Sequence, residues 1–483
     1  MILKGYLLGV LYGLACLIIA LVAYKLGLPK KYTRKIVHIL VGFEWVILYG
    51  CLGASYHFLM VCLFFLILLL VSYFCKLLPM ISSEDENSPG TVYYAVAMTG
   101  VSIVALFDGR VMLPFGIAIL CTSIGDGCAG VIGQLVKKHN PKIYRSKSLF
   151  GTVANFIASF VSAIILSSLY GMGLNVWECV AIALLSAGIE LVVGFGIDNI
   201  AITWGVSFLG YLLMYVDGGA NYVLPIILTP FVIAFVLGKN ALTKWGTVAA
   251  VLMDIVIGLA FGNFGFVILI SFFAGSVVID KFKKMAKGRD ESEKHGARDL
   301  MQVLANGIVP SACAVAFIFS NGNPIFAVAF VASLAEAFAD TAASGLGAFS
   351  KKTFDPFRWR KCVGGISGGM SLIGTFSSFV GALVISCFAI AVSGGVFTVK
   401  YALVSTVSAF VGTLIDSLLG SLLQVKYRCP ICSSLTEKKT HCSTPTAKVE
   451  GANFVDNDMV NVSSAFLTAI LSAALVFVVF LHF

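Results

Sequence analysis

Charge is what this sequence has least of. Asp, Glu, Lys and Arg together make up 12% of 483 residues, while 59% are hydrophobic and the mean hydropathy is +0.97. That balance excludes a soluble globular protein and requires a chain threaded through a bilayer. A signal-peptide cleavage site of small residues is also missing. The first apolar run, 6–23, has only Lys4 before it and is expected to stay as a first transmembrane helix. Thirteen cysteines are present, but most, Cys16, Cys62, Cys121 and Cys179 among them, fall inside apolar runs. There a cysteine is a small hydrophobe, and no disulfide framework follows. The net charge of +9 belongs to loops and carries no implication of nucleic-acid binding.

What is there is a succession of apolar runs of about twenty residues, sixteen in all, from 6–24 to 461–482. Most basic residues gather in five loops, at 25–35, 137–147, 281–298, 351–361 and 426–448. An even number of runs separates each neighbouring pair, so all five loops can share the cytoplasmic side, with both termini outside. The expectation is an all-α polytopic bundle of about sixteen helices in two successive membrane domains, 1–217 and 221–483. Polar residues out of place in a membrane collect on the same expected face: Arg34 to His38, Glu84 to Glu86, Glu190 and Asp198-Asn199. Asp108 and Arg110, in an outer loop, read as a solvated pair.

The stretch from Ser123 to Thr152 is the most telling. Asp126 sits in an apolar, glycine-studded segment with Gly125, Gly127, Gly130 and Gly133, followed by Lys137, Lys138, Lys142, Arg145 and Lys147. A carboxylate in such a segment faces a cavity or a cation. An acid for a metal, bare backbone and basic residues are what phosphoryl transfer from a nucleotide needs. Helix packing by small residues beside a basic loop is the other reading.

Taken in order, Arg34-Lys35-x-x-His38, Gly125-Asp126-Gly127, Lys147-Ser148-x-x-Gly151-Thr152, Glu190 and Gly196-x-Asp198-Asn199 resemble the phytol kinase and dolichol kinase family. That family is related to phosphatidate cytidylyltransferases, and the likeness covers roughly 1–217. It implies a membrane kinase that uses CTP or another nucleoside triphosphate to phosphorylate an isoprenoid alcohol. It further implies that Asp126 helps to hold Mg²⁺-nucleotide, that Lys147 and Ser148 contact phosphate, and that Glu190, Asp198 and Asn199 complete the site. Arg34, His38, Gly125, Gly127 and Gly151 belong to the same binding set, although a histidine at a helix start is also a common cap. Thr152 stands where the family pattern has serine.

From about 221 the motifs change. Gln302 to Gly307 with Asn306, Ala339-Asp340 to Gly347, Val363 to Gly369, Gly374-Thr375, Asp416 to Gly420 and Asn457-Asp458 are similar to the phytyl-phosphate kinases of plants and cyanobacteria. Those add a second phosphate to an isoprenyl monophosphate. Backbone amides around Gly365, Ser367, Gly368 and Gly369, next to Arg358, Arg360 and Lys361, could cradle phosphate. Asp340, Asp416 and Asp458 are candidate Mg²⁺ ligands; packing by small residues is the alternative for Ala339 to Gly347. Leu346 stands where the pattern has glutamate, and Glu336 is the acid that could replace it. In the 426–448 loop, Cys429, Cys432, His441 and Cys442 suit a small structural zinc knuckle. Adjacent His441 and Cys442 can both bind only if the chain turns sharply; free thiols are the alternative.

The expectation is a bifunctional kinase of a bacterial-type plasma membrane with cytoplasmic sites. Its partners would be an isoprenoid lipid in the bilayer and a nucleoside triphosphate, and it would bind no nucleic acid. Two alternatives keep part of the evidence: a CTP-dependent lipid cytidylyltransferase, and a transporter or flippase.

Overall fold

The computed structural model describes residues 2–78, 89–136, 139–194, 196–287, 297–362 and 366–481. Glu84 to Glu86, Lys137, Lys138, Arg289, Lys294 and Val363 to Gly365 lie outside these. The chain divides into two compact units, Met1–Lys239 and Asn240–Phe483.

The first unit holds α1 (Ile2–Lys25), α2 (Lys30–Val41), α3 (Glu44–Leu52), α4 (Tyr56–Cys75), α5 (Gly90–Phe107), α6 (Met112–Leu120) and α7 (Asp126–Leu135). A short hairpin, β1 (Lys142–Tyr144) and β2 (Lys147–Ser148), leads to α8 (Leu149–Tyr170), α9 (Val176–Val192), α10 (Asp198–Tyr215) and α11 (Val223–Gly238). Apart from α2, which carries Lys30, Lys31, Arg34 and Lys35, these helices are apolar nearly all round, as lipid on one side and protein on the other demand. Polar caps mark where they leave the apolar layer: Asn175 and Glu178 form a capping box at the start of α9. The centre is α6, in which Met112 and every residue from Pro114 to Leu120 are buried, packed with Trp45, Phe58 and Ile182.

The second unit holds α12 (Lys244–Lys287), α13 (Leu300–Phe319), α14 (Pro324–Gly347), α15 (Leu372–Val392), α16 (Val399–Leu422) and α17 (Asn457–Leu481). A hairpin of β3 (Thr353–Asp355) and β4 (Arg360–Cys362) lies between α14 and α15. Five short strands, β5 (Lys426–Arg428), β6 (Leu435–Thr436), β7 (Thr440–His441), β8 (Thr444–Pro445) and β9 (Ala447–Glu450), form a lobe between α16 and α17. The centre is α14, buried without interruption from Val328 to Ala337.

Thirteen helices among the described residues are long and apolar enough to cross a membrane. The sixteen runs expected from the sequence differ for two reasons. One long helix, α12, carries two runs joined by a bend at Gly262 (φ 55°). Two further runs are α9, with Glu178 and Glu190, and α10, which opens with Asp198-Asn199; neither is among the thirteen. The division between units also falls later than 217–221. Helix α11 goes with the first unit, setting Pro230 and Phe231 against Gly188 of α9.

Candidate functional site

In the first unit the buried central helix does not run straight into α7. Residues Cys121–Gly125 form a π turn, and Asp126 follows it directly. A π turn shifts the carbonyl pattern and is a frequent device at functional sites. Here the His38 Nε2–H donates to the Thr122 carbonyl at 2.9 Å and lies 3.4 Å from Asp126 Oδ2. Lys35, one turn earlier on α2, places Nζ 2.6 Å from the same carboxylate oxygen. Opposite, Lys147 at the end of the β1–β2 hairpin donates to Glu190 Oε1 at 2.5 Å and lies 3.9 Å from Asp198 Oδ2. Burial works against the Lys147 ammonium, but the Glu190, Asp126 and Asp198 carboxylates outweigh it and hold its pKa above the ordinary lysine range.

These groups surround one cavity of ≈ 890 Å³, lined also by Arg34, Ser148, Gly151, Thr152 and Asn199. Among the described residues, Glu190 Oε2, Thr152 Oγ1 and Asn199 Oδ1 are buried without a hydrogen-bond partner. Two expected members stay out of the cavity. Gly125 receives Ser159 and Gly127 receives Ile39, so their missing side chains serve helix packing and not a ligand. Gly133 and Gly151 do line the cavity, as does Gly130, whose missing side chain makes room for Lys35. Asp108 and Arg110 form the expected exposed pair, 2.7 Å apart, with Tyr211 donating to the same carboxylate.

A narrow apolar slot shares Arg34, His38 and Thr91 with the polar cavity and continues past Val37, Leu48, Phe65 and Met98. Glu44 lines it at 4% exposure, and neither its Oε1 nor the Tyr94 hydroxyl finds a partner among the described residues. Glu44 lies inside an apolar run, as Asp126 does, and an acid there carries the same signal.

The second unit repeats this construction. Asp126 precedes Gly133 by seven residues on α7, and Asp340 precedes Gly347 by seven on α14. A hairpin follows each helix, then Ser148-Leu-Phe-Gly151-Thr152 or Ser371-Leu-Ile-Gly374-Thr375 opens the next. Ser148 and Ser371 each accept from the glycine amide three residues on. Gly151 needs its missing Cβ: one placed there would come 3.1 Å from the Ala129 carbonyl oxygen, and one on Gly374 would come 3.1 Å from that of Ala343. In both units, then, two helices cross backbone to backbone beside the buried acid.

The second cavity, ≈ 420 Å³, is lined by Lys283, Asp340, Ser367, Gly368, Gly369, Ser371, Gly374, Thr375, Asp416, Glu437 and Asn457. Ser464 donates to Glu336 at 2.9 Å and to Asp416 at 3.3 Å, so Glu336 lies behind the cavity within one hydroxyl of Asp416. Asn306 does not join the cavity. Its amide bonds the Gln302 carbonyl of its own helix. Arg358 and Arg360 turn away to Glu450, at 2.8 and 3.0 Å. Gly365 lies outside the described residues, and Asp458 does not line the cavity.

In the lobe, one ligand atom from each of Cys429, Cys432, His441 and Cys442 lies within 4.8 Å of every other. The sharp turn that adjacent His441 and Cys442 require is present. Cys442 (φ 49°) and Ser443 (φ 58°) are the two central residues of the β7–β8 hairpin.

Comparison with known proteins agrees with a membrane enzyme scaffold. The chain is 30% identical over 196 residues to the phytol kinase of Synechocystis sp., covering 39% of this chain and 81% of that protein. It is 26% identical over 253 residues to the chloroplastic protein VTE6 of Arabidopsis thaliana, covering 49% and 67%. It is 31% identical over 206 residues to an uncharacterised membrane protein of Methanocaldococcus jannaschii, covering 40% and 80%. No solved structure matches significantly. Residues 227–469 match the family described as integral membrane protein DUF92, and the chain belongs to that family of integral membrane proteins.

Proposed function

We propose that the protein is an isoprenoid kinase with two phosphorylation sites, the first unit acting on an isoprenoid alcohol and the second on its monophosphate. The observation that carries this reading is the first cavity: a polar chamber with three carboxylates and Lys147, sharing Arg34, His38 and Thr91 with an adjoining apolar slot. A lipid alcohol fits that shape, with its chain in the slot and its hydroxyl in the chamber. The likeness to a phytol kinase supports the same chemistry.

The donor set suits Mg²⁺. Asp126, Asp198 and Glu190 offer hard carboxylate oxygens, and Glu190 Oε2 and Thr152 Oγ1 are buried without partners. Those residues would hold the ion, which neutralises charge between the phosphates of a bound CTP or other nucleoside triphosphate. Lys147 is free to exchange its carboxylate partners for phosphate oxygens, because an ammonium on a flexible stem reorients at low cost. Ser148 lines the same space and offers its hydroxyl to a phosphate there. Asp126, held between Lys35 and His38, would help to hold the Mg²⁺ ion. The main catalytic effect is positioning in a water-poor chamber. In the second unit, Asp340, Asp416, the Ser367 to Gly369 strip and the start of α15 take the corresponding roles, with the chambers facing the cytoplasm.

The test is incubation of membranes holding the full chain with CTP labelled either in the γ-phosphate or in the cytidine, plus a panel of prenols and prenyl monophosphates. Label from the γ-phosphate on lipid monophosphate and diphosphate is the expected result. Cytidine on lipid would replace this reading with nucleotidyl transfer, and no label on lipid from either form would overturn it.

A further inference from the structure

We propose that Cys429, Cys432, His441 and Cys442 bind a zinc ion, and that this ion holds Glu437 against the Ser367 amide at the edge of the second cavity. The proposal stands apart from the catalytic reading above.

The ligand geometry comes first. Cys432 and Cys442 place their Sγ atoms 3.8 Å apart, and His441 Nδ1 lies 3.4 Å from the first and 3.3 Å from the second. Sulfurs around a tetrahedral zinc, each about 2.3 Å from the metal, are separated by about 3.8 Å. The same spacing is far beyond a disulfide of about 2.05 Å, and all thirteen cysteines are free. Three thiolates with an imidazole select zinc over the hard cations proposed for the two cavities. All four positions are filled by protein, which is the pattern of a structural site.

The lobe also needs such an ion. Its strands are two to four residues long, and Ile431 and Val449 are exposed. A segment of this size cannot bury enough apolar surface to fix its own fold, and metal binding supplies that free energy instead. The ligands come from the two turns that would otherwise splay: the β5–β6 turn carries Cys429 and Cys432, and the β7–β8 turn carries Cys442.

Fixing those turns fixes what lies between them. Glu437 directly follows β6, and its Oε1 accepts from the Ser367 amide at 2.8 Å. Lys426, on β5 and 1% exposed, donates to the Ser367 carbonyl at 3.0 Å. The lobe thus grips both backbone polar groups of Ser367 in the glycine strip. Glu437 occupies an amide that an incoming anion would otherwise use. The metal-held lobe is therefore a cover on the second cavity.

The experiment uses the full chain purified in detergent. Elemental mass spectrometry should find about one zinc per chain, lost in Cys429→Ser and Cys432→Ser. Because those variants could misfold, the intact protein is also stripped with a chelator and reloaded. Stripping should accelerate hydrogen exchange at 426–450 and at 366–371 severalfold, and zinc should restore it. Glu437→Ala, which removes the acceptor, should keep its zinc yet show faster exchange at 366–371 alone. Zinc below roughly a tenth of an equivalent, with Cys429, Cys432 and Cys442 open to thiol reagents or two of them joined by a disulfide, would overturn the metal site. Zinc present with unchanged exchange in Glu437→Ala would overturn the cover.

Discussion

Lys35 Nζ lies 2.6 Å from Asp126 Oδ2, tying α2 to the first residue after the π turn, with side-chain exposures of only 15% and 10%. Removing one partner of such a pair leaves a buried charge and costs about 3–5 kcal/mol. Lys35→Met should therefore lower thermal stability in detergent strongly, and Lys35→Met with Asp126→Asn should recover most of it. Both variants should be inactive on isoprenoid alcohol. Recovery of activity along with stability would mean that Asp126 is only half of a structural pair.

The two chambers should fail separately. Asp126→Asn should abolish formation of monophosphate from alcohol and spare conversion of monophosphate to diphosphate; Asp340→Asn should do the reverse. Thin-layer separation of labelled products from each variant checks this. A variant that loses both steps would count against two sites.

Lys147 titrates above the ordinary lysine range in the folded protein. A raised pKa contributes stability that is complete below the unfolded value of about 10.4 and is lost only as pH rises through the folded value. The stability difference between the native chain and Lys147→Gln should accordingly stay level from about pH 7 to 9 and shrink above about pH 10.5. Melting temperatures across that range would show it.

Glu44 carries a buried oxygen without a partner in an apolar slot. Replacing such a group by an apolar one of similar size is near neutral or stabilising, by up to about 1–3 kcal/mol. Glu44→Leu should hold or raise the melting temperature while changing which prenol chains are accepted, measured as the ratio of rates between short and long prenols. A loss of stability of that size would show that the carboxyl is satisfied in the membrane.

Much of this was legible in the sequence because membrane physics is blunt. Twenty-residue apolar runs can only be helices, and an acid such as Asp126 inside one must find a cation. The cation was harder to name. Lys35 lies 91 positions away in the chain, and only the fold shows that it, and not the basic loop after α7, is the partner. Gly125 and Gly127 read like Gly133 and Gly151, because a missing side chain says that something approaches and not what. The repeated Ser-Leu-x-Gly-Thr start escaped notice because the hairpins before it differ in length, so no fixed period marks it. Asn306 looked polar enough to bind, but its own helix satisfies it.

The charges lining the two chambers differ. Lys31, Arg34, Lys35, Arg145 and Lys147 line the first. Among the described residues Lys283 alone is basic in the second, facing Asp340, Asp416 and Glu437. An anion meets attraction on arrival at the first chamber. On the proposed reading the second would repel it until a dication had loaded, and each turnover there would begin with the metal.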